Sequence, residues 1–74
     1  YMSNSTALQH IGQNIRDLRK YRGLTQQELA EKSGIRTATV SDIEKGLANF
    51  EINTIIRIAT ALNCALDISF TPLD

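Results

Sequence analysis

The 74-residue chain has one cysteine, one proline and no tryptophan, and only 5% of its residues are aromatic. Each shortage excludes something. Cys64 alone can neither close an internal disulfide nor build a cysteine-based metal site. No apolar run approaches the roughly 20 residues of a membrane span, and no signal-peptide pattern precedes the domain. Both absences set the cytoplasm as the expected location. There is no glycine-rich phosphate loop, no nucleophile–base pair and no cluster of metal ligands, so neither an enzyme nor a cofactor is expected. His10 stands apart from any other candidate ligand, and a metal or catalytic site needs several converging groups. An excess of charge of either sign is also missing, with a formal net charge of zero. Taken as a total, that speaks against nucleic acid as a partner.

The length suits one domain and not two. Such a small domain buries only roughly 60% of the surface of its unfolded chain, which makes self-association an expectation. Hydrophobic residues at 42% and charged residues at 22% fit an ordinary globular domain. The charge is unevenly placed. Residues 1–46 hold seven basic side chains against five acidic ones; residues 47–74 hold one against three. A mildly basic half next to an acidic one suits a surface that meets DNA, with affinity built from two copies.

Tyr1 before Met2 reads as a residue appended for expression, and residues 1–6 as a flexible polar tail in which Ser5 or Thr6 caps the first helix. Leu8, Ile11, Ile15 and Leu18 recur at steps of three and four, which predicts an amphipathic helix to about Tyr21, ended by Gly23. Thr25 with Glu28 three residues on is a capping box, so a second helix starts at about Gln26. That helix turns Leu29 and Ala30 inward and stops at Ser33-Gly34. A third helix spans about Thr37 to Lys45, with Val40 and Ile43 inward and Gly46 after it. Asn53 or Thr54 caps a fourth helix through Leu62, with Ile52, Ile55, Ile56, Ala59 and Leu62 as its buried side and Asn63 as its end. Cys64 is expected to be a small core residue, and Tyr21, Phe50 and Phe70 to pack rather than stack on bases.

The tail changes period. Leu66, Ile68 and Phe70 alternate with Asp67, Ser69 and Thr71 until Pro72, a strand pattern in an otherwise helical chain. A lone strand cannot satisfy its own backbone groups, so pairing with a second copy across a two-fold axis is the simplest expectation. A fifth short helix over 65–69 is the alternative. The expected division is therefore a domain over 7–64 and a dimerisation tail over 65–74.

Two short helices around Ser33-Gly34 are the local signature of a helix-turn-helix, which can set one helix in the major groove of DNA. From Ile15 to Leu66 the chain resembles the lambda-repressor-like, Cro/C1-type (XRE) helix-turn-helix family. The resemblance rests on four blocks: residues 24–30 (LTQQELA), Ser33-Gly34, residues 41–46 (SDIEKG) and residues 58–62 (IATAL). It implies an all-α fold, a compact bundle of four or five helices, and binding to double-stranded DNA. The alternating tail in place of the family's usual fifth helix is similar to HipB-type antitoxins, which dimerise partly through a C-terminal strand.

The resemblance also assigns roles. Thr37, Ala38 and Asp42 would face base edges: Ala38 against a thymine methyl, Asp42 as acceptor from a cytosine amino group. Arg36, read from its own chemistry, is a further base contact, since its planar fork matches a guanine or a nearby phosphate. Asp42 can equally pair with Arg36 or Lys45. Thr25, Gln26, Thr39, Ser41, Lys45 and Asn49 would reach phosphates, Gln26 from a helix N-terminus whose dipole favours an anion. Arg16 and Lys20 are either further phosphate contacts or a solvated face. Arg19 and Glu44 would form a partly buried structural salt bridge. The expected function is a dimeric repressor reading half-sites of an inverted repeat about 34 Å apart. The alternative is an antitoxin that neutralises a toxin protein and autoregulates its own operon.

Overall fold

Burial of one apolar stripe per helix decides where the four helices sit. The computed structural model describes residues 4–74 as α1 (Asn4–Tyr21), α2 (Gln26–Ser33), α3 (Thr37–Glu44) and α4 (Ile52–Ala61), with no strand among the described residues. Leu29, Val40, Ile43, Ile58 and Leu62 are fully enclosed, and Ile15, Ala30 and Ile55 complete the core. Leu18, Leu24, Ile35 and Phe50 pack against it from the edge.

The helix boundaries follow local chemistry. Thr25 accepts the Glu28 N–H at 3.1 Å while the Glu28 carboxylate accepts the Thr25 N–H at 2.9 Å, the reciprocal bonds of the expected capping box. Those bonds from Thr25 hold the Glu28 carboxyl below its ordinary pKa. A depressed value means that this contribution is present at neutral pH and fades as acid protonates the carboxylate. Gly34 takes the left-handed conformation (φ 72°) that lets α2 end and α3 begin within three residues. Asn63 does the same after α4 at φ 54°.

Three expectations need correction. Helix α1 already includes Ser5 and Thr6, so neither is its cap. Helix α4 begins at Ile52 behind Glu51, which makes no side-chain capping bond, and Asn53 and Thr54 lie inside its first turn. Its buried stripe is Ile55, Ile58 and Leu62; Ile52 and Ile56 are rotated outward and exposed. The helical phase explains this, since a stripe centred between Ile55 and Leu62 puts Ile58 on its near edge and Ile56 well outside it.

The tail is the largest difference from the sequence pattern. Residues 64–74 form neither a strand nor a fifth helix, and Phe70 is 98% exposed instead of packed. A strand needs an edge to pair with, and the four helices of one chain offer none. Tyr21 is also exposed, its ring covered only by the Arg22 guanidinium at 5.3 Å from the centroid.

Gly12 was not singled out in the sequence, yet it sets how closely α1 and α3 approach. A Cβ at this position would overlap the Ile43 carbonyl oxygen and lie 2.8 Å from that of Glu44. Both obstacles are backbone, so neither can swing away. Gly12→Ala is expected to lower stability by at least about 2 kcal/mol, measured by urea unfolding followed by circular dichroism. Unchanged stability would mean that the two helices are not in this contact.

Candidate nucleic-acid interface

Helix α3 has two faces. Val40, Ile43 and Glu44 are buried; Ala38, Asp42 and Lys45 lie opposite them at helical spacing, with Thr37 in the first turn and Ser41 on the flank. Thr37, Ala38, Asp42 and Lys45 are exposed, while Ser41 is half-buried. Thr39, expected on the outward side, sits on the flank of the buried one and is also half-buried. Apart from Lys45 these side chains are short, so the helix backbone itself can approach a groove closely.

Arg36 occupies the N-cap of α3 with extended backbone (φ −75°, ψ 145°) and makes no side-chain capping bond. A cation at a helix N-terminus opposes the helix dipole. Its guanidinium is exposed and has no partner among the described residues. Asp42 has no ion-pair partner there either, so neither of the pairings weighed for it is made. Lys45 and Asn49 are exposed at and beyond the far end of α3; Arg16 and Lys20 are exposed on α1.

The buried side of α3 is fastened by charge. Arg19 donates through Nε and Nη2 to both oxygens of Glu44, at 2.7 and 3.0 Å. Its Nη1 donates to the Leu24 carbonyl at 2.8 Å, tying in the turn before α2. The side chains are 11% and 3% exposed, and the bond to Glu44 raises the arginine pKa further. The expected salt bridge is thus a bidentate pair, shielded from water and joining α1 to the end of α3.

Gln26 is held more firmly than its surface role suggested. Its amide nitrogen donates to Glu44 Oε1 at 3.1 Å. Arg22, given no role from the sequence, donates to the carbonyls of Leu62 and Asn63 at 2.9 and 3.3 Å and so closes the end of α4. Its position just after α1 was the available signal, but the carbonyls lie forty residues on. Apart from Thr25 in the capping box and Gln26 on Glu44, the proposed contacts make no side-chain hydrogen bond among the described residues.

A partner-free stripe on a rigidly fastened helix is compatible with many ligands, and comparison with known proteins narrows the choice. Residues 15–69 match the family model HTH_3, described as helix-turn-helix. The chain belongs to the helix-turn-helix family. It is 34% identical over 64 residues to the HTH-type transcriptional regulator y4dJ of Sinorhizobium fredii, covering 86% of this chain and 83% of that one. It is 40% identical over 52 residues to the immunity repressor of Bacillus phage phi105, a match over 70% of this chain and 36% of the repressor. The helix-turn-helix chain thus spans about a third of that phage protein. Among solved structures, the restriction-modification controller protein C.AhdI from Aeromonas hydrophila superposes with a TM-score of 0.78 at 37% identity, covering 80% and 89% of the two chains. A chain of the HipA–HipB–O2–O3 complex superposes at 0.74 and 28% identity over 97% and 96%. Among the described residues, no helix is long and apolar enough to cross a membrane.

Loss of one charge from the Arg19–Glu44 pair leaves the other buried without a counter-charge. Arg19→Ala is therefore expected to cost about 3–5 kcal/mol in chemical unfolding. Arg19→Met combined with Glu44→Leu is expected to cost far less, because no uncompensated charge remains. Equal losses in the single and double variants would show that packing, and not charge, fastens α3.

Proposed function

We propose that this helix-turn-helix protein is a cytoplasmic, dimeric repressor that reads an inverted repeat with α3 in the major groove. The observation that carries this reading is Arg36, an unpaired cation at the N-cap of α3, heading a stripe of small polar side chains. A phosphate or a guanine edge would supply the partner that the guanidinium lacks. Thr37, Ala38 and Asp42 lie along the same outward side, where base edges would pass. Thr25, Gln26, Thr39, Ser41, Lys45 and Asn49 are the proposed phosphate contacts, which would set register without reading sequence.

Dimerisation is assigned to the tail. Leu66, Ile68 and Phe70 are 41%, 56% and 98% exposed, and Ile52 and Ile56 of α4 add exposed apolar surface. Pairing two tails across a two-fold axis would satisfy their backbone groups and cover these side chains at once. The two recognition helices would then serve half-sites one turn apart.

A second reading has one observation in its favour. The structural match to the HipA–HipB–O2–O3 complex extends over nearly the whole chain, tail included, and HipB there is assembled with HipA. The tail would in that case present a backbone edge to a toxin protein. Expression from the native locus separates the readings: a second polypeptide in stoichiometric complex favours the antitoxin, its absence the repressor.

Selection of bound sequences from a random duplex pool at physiological salt is expected to return a palindromic consensus. Arg36→Ala should weaken binding to that consensus by about tenfold or more while leaving the circular dichroism spectrum intact. A flat selection would overturn the reading. Ile68→Asp in the same protein is expected to convert dimer to monomer in sedimentation and to weaken operator binding in parallel. A variant that stays dimeric would remove the tail from the interface.

A further inference from the structure

Three N–H groups converge on the carboxylate of Glu44: Nε and Nη2 of Arg19, and Nε2 of Gln26, at 2.7, 3.0 and 3.1 Å. The first two fasten α3 to α1. The third joins the start of α2 to the same carboxylate. Gln26 is the first residue of α2, and this end of α2 is already fixed by the Thr25–Glu28 box and by Arg19 on the Leu24 carbonyl. The bond does, however, restrict what Gln26 can present to the outside.

A carboxylate only accepts hydrogen bonds, so the amide must turn its nitrogen towards Glu44 and its carbonyl oxygen away. One N–H is engaged there. The second N–H remains, together with the backbone N–H groups of Gln26 and Gln27, which make no backbone hydrogen bond among the described residues. The capping box occupies the N–H groups of Thr25 and Glu28 and leaves these two unengaged. A half-buried glutamine held this way loses its rotamer freedom before any ligand arrives. Arg19 completes the arrangement by neutralising Glu44, whose bare charge would otherwise repel an anion beside Gln26.

Resting on the DNA-binding reading above, we propose that Glu44 is the positioning residue for the phosphate contact of Gln26. One carboxylate then sets both the seat of α3 and the donor that α2 offers to the DNA backbone. The two helices of the motif engage DNA as one unit because they share this acceptor.

A double-mutant cycle tests the assignment, with a mixed-sequence duplex as probe because phosphate contacts do not depend on sequence. The backgrounds are the native protein and Arg19→Met/Glu44→Leu, in which no buried charge is stranded. Gln26→Ala is expected to weaken binding about tenfold in the native background. In the second background the same change should cost less than about twofold, because a wandering amide contributes little. Equal factors in both backgrounds, with binding intact, would overturn the positioning role alone. Failure of the native protein to bind the duplex in a salt-dependent way would overturn the DNA-binding reading and the positioning role with it. Nuclear magnetic resonance of the native protein supplies a readout that needs no variant to fold. The Gln26 side-chain amide protons should be displaced from the random-coil position and show a through-space contact to residue 44. Random-coil amide shifts without that contact would overturn the positioning role.

Discussion

The ion pair between Arg19 and Glu44 is the constraint on which the rest of the molecule leans. Helix α3 has only eight residues, too few to be stable on its own, and its outward face carries nothing that packs against the protein. Its position therefore depends on Val40, Ile43 and the anchored carboxylate. Hydrophobic burial holds the helix down but fixes its rotation and its slide along α1 poorly, because apolar contact has no direction. The bidentate pair supplies direction, and the third guanidinium nitrogen carries it into the turn before α2. Taking two charges out of water is costly, so the gain is less in net stability than in a single seating of the helix.

Close approach makes that geometry possible. The Arg19–Glu44 bonds span α1 and the end of α3, and those backbones meet where Gly12 has no side chain to hold them apart. Glycine within a helix lowers helix propensity, so α1 gives up local stability for tertiary contact. The turn after α1 makes a second such contact. There Arg22 donates to the carbonyls of Leu62 and Asn63, just past the end of α4, so the C-terminal charge of that helix meets a cation from the turn after α1. Two arginines three residues apart thus fasten α1 and its turn to two other helices.

The tail is built on another logic. Up to Cys64 each helix buries apolar side chains within the chain, while Leu47, Ile52 and Ile56 stay exposed; beyond it, the alternating apolar residues stay in solvent. Small size has the same consequence, because four short helices enclose few side chains completely. On the dimeric reading, both shortages are met by one event, the pairing of two copies.

Much of the fold was legible because short-range rules act on it. The steps of Leu8, Ile11, Ile15 and Leu18, the Thr25–Glu28 box, and the glycines at 23, 34 and 46 place α1 to α3 within a residue or two. The core partners of α3, and the bond between Arg19 and Glu44, were likewise anticipated. Less was legible where two segments meet. Neither periodicity nor capping reveals that Gly12 lies under the Ile43 carbonyl or that Arg22 reaches Leu62. Nor do they show that Glu44 also accepts from Gln26. The phase of α4 was read one edge off, because a run of Ile, Ile and Ile at 55, 56 and 58 offers two adjacent stripes and only the neighbouring helices choose between them. The sequence by itself determined which segments are helical and where each ends, since those are contests between neighbouring residues for the same backbone bonds. Only the tertiary structure decided which face each helix buries and which polar groups share a partner. Those choices depend on contacts between residues far apart in the chain, and no local pattern encodes such distances.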